Sequence, residues 1–235
     1  LKRIQRLIAT VRGVTENIAH DLRTPLNRLR GRLEIALMAP RSSDEYCGEL
    51  QRAIADTDSI VDRFNGLLKI ARIKAGALSL PKDRVNLSEV IEELVDLYAV
   101  FSEESGVETE VVCDNASTSE LSVWGDAHLI SQAAANLLDN AIKYAPRDSK
   151  VTLSLVKQVG YIQLEIADCG PGIPPEKLQA TSDRFVRLDN APDKQGFGLG
   201  LNFVSAVAEW HGAQFKLADN APGLRASLIF HSIGI

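Results

Sequence analysis

The chain is poor in cysteine, in aromatic residues and in long apolar runs, and each shortage excludes something. Its three cysteines, Cys47, Cys113 and Cys169, lie far apart with no C-x-x-C and no zinc-ligand spacing. That pattern excludes a disulfide framework and predicts a reducing compartment. No apolar stretch approaches the roughly 20 residues of a membrane-spanning helix. Aromatics make up only 6% of the residues. The basic residues are spread around helices without a stacking platform, so no nucleic-acid partner is expected. The opening Leu1-Lys2-Arg3-Ile4 has neither an initiator Met nor a signal-peptide layout, which predicts a piece of a longer protein.

What is present suits a globular protein. With 45% hydrophobic and 24% charged residues, 235 positions can hold one large or two modest domains. The net charge of −5 is unevenly placed. Residues 1–82 carry 15 Lys+Arg against 9 Asp+Glu, net +6, and the remainder carries 11 against 22, net −11. Two units with different partners are expected.

Hydrophobic spacing divides the chain the same way. Ile4, Leu7, Val11, Val14, Ile18, Leu22, Leu29, Leu33 and Leu37 predict one long helix over 1–38. Residues 39–44 break it, with Ser43 or Asp44 as the next N-cap. A second helix follows to Ala75-Gly76, its apolar face formed by Leu50, Ile54, Ile60 or Val61, Phe64, Leu67 or Leu68 and Ala71. Two such helices cannot bury both stripes alone, and a dimeric four-helix bundle is the economical solution. After a connector over Leu78–Asp83, the pattern becomes mixed. Helices are expected over Leu87–Ser105 (capped by Asn86 or Ser88), Asp126–Tyr144 and Leu199–His211. Strands are expected at 107–112, 151–156, 161–166, 214–217 and 225–230, the last two flanking the turn Asn220-Ala221-Pro222-Gly223. The second unit therefore reads as an α/β layered domain.

The run His20-Asp21-Leu22-Arg23-Thr24-Pro25-Leu26 is the first chemical signal. His20 and Thr24 share a helix face. The Asp21 carboxylate can accept from the imidazole Nδ1–H, leaving an outward, more basic Nε2. Such a nitrogen can attack a γ-phosphorus in line. Pro25 removes the helical partner of the Asp21 carbonyl and lets the helix bend. A lone His-Asp pair is most often a solvated surface histidine, and the full run is what favours a nucleophile.

Four further clusters follow in order. Asn136, Asn140, Lys143 and Tyr144 fall along one side of a helix. Amide oxygens suit magnesium, which takes few protein ligands besides phosphate and water. Lys143 supplies charge for phosphates and Tyr144 a surface for a flat base. Asp168-Cys169-Gly170-Pro171-Gly172-Ile173 follows a strand. An ionised Asp only accepts hydrogen bonds, which suits the exocyclic amine of adenine, and the glycines permit close backbone approach. Arg184-Phe185-Val186-Arg187 offers phosphate-facing arginines. Gly196-Phe197-Gly198-Leu199-Gly200 opens a helix, whose free N–H groups bind phosphate. Asn pairs are commonly caps and glycine runs commonly loops; the ordered set of four is the signal.

Together these residues resemble the sensor histidine kinases of two-component systems. His20 to Pro25 is similar to the family's H box, Asn136 to Tyr144 to its N box, Asp168 to Gly172 to its G1 box, Arg184 to Asp189 to its F box, and Gly196 to Gly200 to its G2 box. The resemblance implies a dimerisation and phosphotransfer hairpin over residues 1–82, with 1–10 the tail of an upstream signalling helix. It implies an ATP-binding α/β sandwich over 83–235 of the type shared with gyrase and a chaperone ATPase. His20 would be the phosphoacceptor and Asp21 the general base, and Thr24 would position water for dephosphorylating a regulator. Asn140 would hold Mg2+ and Asp168 would read adenine. Asn136, Lys143, Tyr144, Gly170, Gly172, Ile173, Arg187, Gly196, Gly198, Leu199 and Gly200 would line the ATP site. The implied partners are a second copy and the receiver domain of a response regulator. The implied location is the cytoplasmic portion of an inner-membrane protein, anchored through an N-terminal part outside this sequence.

Two departures stand out. Ser182 occupies a position where the family has an aromatic, and the lid over 190–195 lacks its Ser-Arg pattern. They keep open a second class, a scaffold or phosphatase module that binds nucleotide and a regulator. A third class, a stand-alone ATPase, leaves the hairpin unexplained.

Overall fold

The computed structural model describes residues 23–38, 40, 42–75, 83–113, 121–174 and 200–233. They fall into two compact units, within Leu1–Leu78 and Ser79–Ile235. Among the described residues no helix is long and apolar enough to cross a membrane.

The first unit is helical. Residues 23–37 form α1, the described part of the long helix expected over 1–38, and α2 spans Ser43–Lys74. The N-cap of α2 is Ser42 rather than Ser43 or Asp44. The reason is a capping box. The Ser42 hydroxyl accepts from the Glu45 N–H at 3.3 Å, and the Glu45 carboxylate returns to the Ser42 N–H at 2.7 Å. Arg32 on α1 pairs with Asp56 on α2 at 2.6 Å. Of the expected apolar face of α2, Leu67 is buried, whereas Leu50, Ile54, Val61, Phe64 and Leu68 are exposed in the single chain.

The second unit is a two-layer α/β domain. Its strands are β1 (Asp83–Asn86), β2 (Val107–Cys113), β3 (Ser122–Gly125), β4 (Ser149–Gln158), β5 (Tyr161–Ala167), β6 (Gln214–Asp219) and β7 (Leu224–His231). Its helices are α3 (Leu87–Ser105), α4 (Ala127–Tyr144) and α5 (Gly200–His211). The main sheet runs β2-β4-β5-β7-β6, with β2–β4 parallel and the other pairs antiparallel. One face is apolar: Val151, Leu153, Leu155, Ile162, Leu164, Ile166, Leu228 and Phe230 alternate inward beneath the three helices. Strands β1 and β3 pair as a separate two-stranded sheet. Neither was expected, and Asp83, assigned to the connector, is the first residue of β1. Four residues carry too little alternation to register as a strand.

Of the two cap candidates for α3 the structure selects one, and Asp126, expected as the first helical residue, is instead the cap of α4. Asn86 caps α3, its Oδ1 accepting from the Ser88 N–H at 3.1 Å. Asp126 caps α4, accepting from the Leu129 N–H at 2.8 Å. The ends of α4 and α5 are tied by His211. Its Nε2 accepts the Asp126 N–H at 3.0 Å, which requires the tautomer whose Nδ1–H donates to the Val207 carbonyl at 2.8 Å. This clip fixes how α5 lies on α4, and so what the start of α5 meets.

Candidate nucleotide site

Helix α4 buries Leu129, Ile130, Ala133, Ala134, Leu137, Leu138, Ala141 and Ile142. The 3.6-residue period then leaves Asn136, Asn140, Lys143 and Tyr144 half-buried on another side. The Asn136 amide nitrogen donates back to the Gln132 carbonyl at 2.8 Å, which directs its oxygen elsewhere. Gly200, the first residue of α5, sits against both asparagines. A β-carbon there would lie 3.2 Å from Asn136 Oδ1 and 3.4 Å from Asn140 Nδ2. The Asn140 side chain makes no hydrogen bond among the described residues, so its amide oxygen is uncommitted there. The Lys143 ammonium lies 5.8 Å from the centre of the Tyr144 ring, within cation–π range.

The loop after β5 supplies the acid. Asp168 is buried, and its Oδ1 accepts two backbone N–H groups, from Gly170 at 2.7 Å and Leu224 at 3.2 Å. Oδ2 accepts none among the described residues. Burial pushes the carboxyl pKa up from its ordinary 3.8, and the two backbone hydrogen bonds pull against that rise. One oxygen thus takes two backbone hydrogen bonds, and the other is left without a donor among the described residues.

Close approach explains the glycines. A side chain at Gly170 would come within 2.7 Å of the Tyr144 carbonyl, so the loop runs directly against the end of α4. On its other side stands the β6–β7 turn. Gly223, at φ 117°, would carry a side chain into the Asp168 carbonyl. Gly172 abuts the Gly223 carbonyl, and Ile173 is buried beside them in sequence.

The structure therefore brings Asn136, Asn140, Tyr144, Asp168, Gly170, Gly172 and Gly200 around the C-terminal half of α4. Thr24 is exposed on α1, in the other unit. His20, Asp21, Arg187, Gly196, Gly198 and Leu199 lie outside the described residues. Sequence reasoning missed Asn220, Gly223 and the Leu224 N–H. The turn itself was legible, but its bond to a residue 52 positions earlier leaves no local pattern.

A nucleotide and a magnesium ion fit these donors. The uncommitted Asn140 oxygen suits a hard cation that completes its shell from phosphate and water. Among the described residues no three His, Cys, Asp or Glu side chains converge to hold a metal by themselves.

Comparison with known proteins is consistent with this arrangement. The family model for histidine kinase-, DNA gyrase B- and HSP90-like ATPases matches residues 125–232. That for the His Kinase A (phospho-acceptor) domain matches residues 10–76. The signal transduction histidine-protein kinase/phosphatase MprB of Mycolicibacterium smegmatis is 32% identical over 218 residues, covering 89% of this chain and 42% of that protein. The structure of a mycobacterial sensor histidine kinase MprB is 30% identical with a TM-score of 0.54, covering 66% of this chain and 99% of that one. A similar fold, at 17% identity and a TM-score of 0.74, occurs in the histidine kinase ThkA in complex with response regulator protein TrrA, covering 99% of this chain and 64% of that one. The chain spans about half the length of the curated relatives it matches.

Proposed function

The chain belongs to the histidine kinases, and on that basis we propose that it is the ATP-dependent kinase portion of a two-component sensor. It phosphorylates its own His20 and passes the group to an aspartate of a response regulator. The observation that carries this reading is the pair of groups uncommitted among the described residues, Asp168 Oδ2 and the Asn140 amide oxygen, the first in the loop against the end of α4 and the second on α4 beside Gly200. Asp168 accepts the exocyclic amine of adenine. Asn140 holds magnesium, which neutralises phosphate charge. Asn136, Lys143, Tyr144, Gly170, Gly172, Ile173, Arg187 and the segment Gly196–Gly200 surround the rest of the nucleotide.

In the transfer step the His20 Nε2 lone pair forms a bond to the γ-phosphorus. The bond from that phosphorus to the β–γ bridging oxygen breaks, ADP leaves, and Asp21 takes up the Nδ1 proton. Positioning and charge neutralisation supply most of the rate. The exposed stripe Leu50, Ile54, Val61, Phe64 and Leu68 on α2 supports a homodimer. Thr24, four residues after His20 in the sequence, positions water for the reverse task of dephosphorylating the regulator. The kinase/phosphatase named MprB supports that dual role. The full-length protein is anchored in a membrane through a segment preceding this sequence.

The test is incubation of this chain and of His20→Gln with γ-labelled ATP and magnesium. Acid-labile, base-stable label that the variant lacks is the expected result. Absence of label despite measured ATP binding overturns the kinase reading and leaves the regulator-binding phosphatase or scaffold.

A further inference from the structure

The side of the main sheet turned away from the helices carries a polar relay that ends at Asp168. It begins with Glu165 on β5, whose side chain is only 15% exposed although it lies on the outer face. Its Oε2 accepts from Gln163 Nε2 at 2.8 Å and from the Ser227 hydroxyl at 2.9 Å. Its Oε1 lies 3.4 Å from Arg225 Nε. The Nη2 of the same guanidinium donates to Asn220 Oδ1 at 2.9 Å. That bond fixes the orientation of the amide, because the oxygen must face the cation. The Asn220 nitrogen then donates to the Asp168 carbonyl at 2.8 Å.

Each link is local to two neighbouring strands, but the end of the relay is the acid of the nucleotide site. Asn220 holds the main chain of Asp168 from one side. Leu224, four residues later at the start of β7, holds the Asp168 carboxylate through its N–H and accepts the Asp168 N–H with its carbonyl at 3.0 Å. The turn closes on itself by a bond from Asn220 N–H to the Gly223 carbonyl at 3.1 Å. Loosening Asn220 therefore releases the Asp168 carbonyl and shifts the donor that orients its carboxylate. The apolar face of the sheet is complete without Glu165 or Arg225, and Arg225 is 46% exposed.

We propose that Asn220, braced by Arg225 and Glu165, is a positioning residue that sets selectivity for adenine by aiming the free oxygen of Asp168. This rests on Asp168 as the acceptor for the adenine amine. The ligand class it discriminates is the 6-aminopurine nucleotides against purines that lack the amine.

The test compares magnesium-ATP with magnesium-purine riboside triphosphate, which lacks only the exocyclic amine. Dissociation constants are measured by calorimetry for the full chain, Asn220→Ala, Asn220→Asp and Arg225→Ala. The unaltered chain should favour ATP by roughly 10- to 100-fold, the range for a hydrogen bond to a charged group. Asn220→Ala should lose about tenfold of ATP affinity and leave the analogue unchanged. Asn220→Asp should lose as much, because its carboxylate keeps Arg225 but turns an acceptor toward the Asp168 carbonyl. Arg225→Ala should lose about threefold, and its exposed position keeps the test decisive should Asn220→Ala fail to fold. Equal losses for both nucleotides, or a preference unaltered in every variant, overturn the positioning role alone. No preference in the unaltered chain overturns the assignment of Asp168, and this proposal with it.

Discussion

Helices α2 and α4 are both amphipathic, and they meet opposite fates. Helix α4 buries eight apolar residues among α3, α5 and the sheet of its own domain. Helix α2 leaves Leu50 at 59% exposure, Ile54 at 61% and Val61 at 49%. A hydrophobic stripe at helical spacing therefore fixes which face seeks burial and says nothing of what buries it. One domain completes its core from its own chain. The other carries a stripe whose burial requires a second surface, as the proposed homodimer would provide.

The sharpest way to break that comparison is to truncate one side chain on each helix. Leu138→Ala, fully buried, should cost about 2–5 kcal/mol in urea unfolding of the α/β domain at any protein concentration. Ile54→Ala should cost the hairpin a comparable amount only where the protein is dimeric, with a midpoint that depends on concentration. If Ile54→Ala is neutral at every concentration, the stripe is not an interface and the contrast between the helices loses its explanation.

Asp168 sharpens the contrast from the side of function. Asp168→Asn keeps an oxygen for the Gly170 and Leu224 N–H groups but turns a donor toward the adenine amine. ATP affinity should fall by roughly 10- to 100-fold. The nucleotide-free domain should melt higher, since a buried charge has gone. The pH dependence has a definite sign. Because the folded carboxyl holds its proton more tightly than the unfolded one, domain stability should fall as pH rises from about 3.8 through the raised value. Thermal melts across that range should show this component in the unaltered chain and not in Asp168→Asn. A lower melting temperature for the variant would mean that the carboxylate stabilises the fold.

The smallest expected effect lies at the start of α2. Ser42→Ala should cost about 1 kcal/mol in hairpin stability, and Glu45→Ala part of that. An unaltered melting temperature would mean that the Ser42 box adds nothing in water.

The two regions also differ in how much of them the sequence disclosed. In the α/β domain, Asn86 as one of two cap candidates, the helix α4, the hairpin β4–β5 and the position of Asp168 after a strand were all legible. Each depends on contacts between near neighbours in the chain. In the hairpin, residues 39–44 offer several cap candidates, and only the reciprocal bonds between Ser42 and Glu45 select among them. Strands β1 and β3 escaped notice because each is four residues long and exists by virtue of the other.

By itself the sequence determined the periodic elements, the order of the nucleotide clusters and the residue types able to do the chemistry. These follow from local sterics, hydrophobic spacing and functional-group identity, which travel with each residue. Only the tertiary structure decided that Gly200 meets Asn136 and Asn140, and that the loop from Asp168 is wedged between the end of α4 and the β6–β7 turn. It alone decided that, among the described residues, one Asp168 oxygen takes two backbone hydrogen bonds and the other none. Those facts depend on groups tens of residues apart, brought together by burial of a shared core. A hydrogen bond across such a separation leaves no trace in the spacing of either partner.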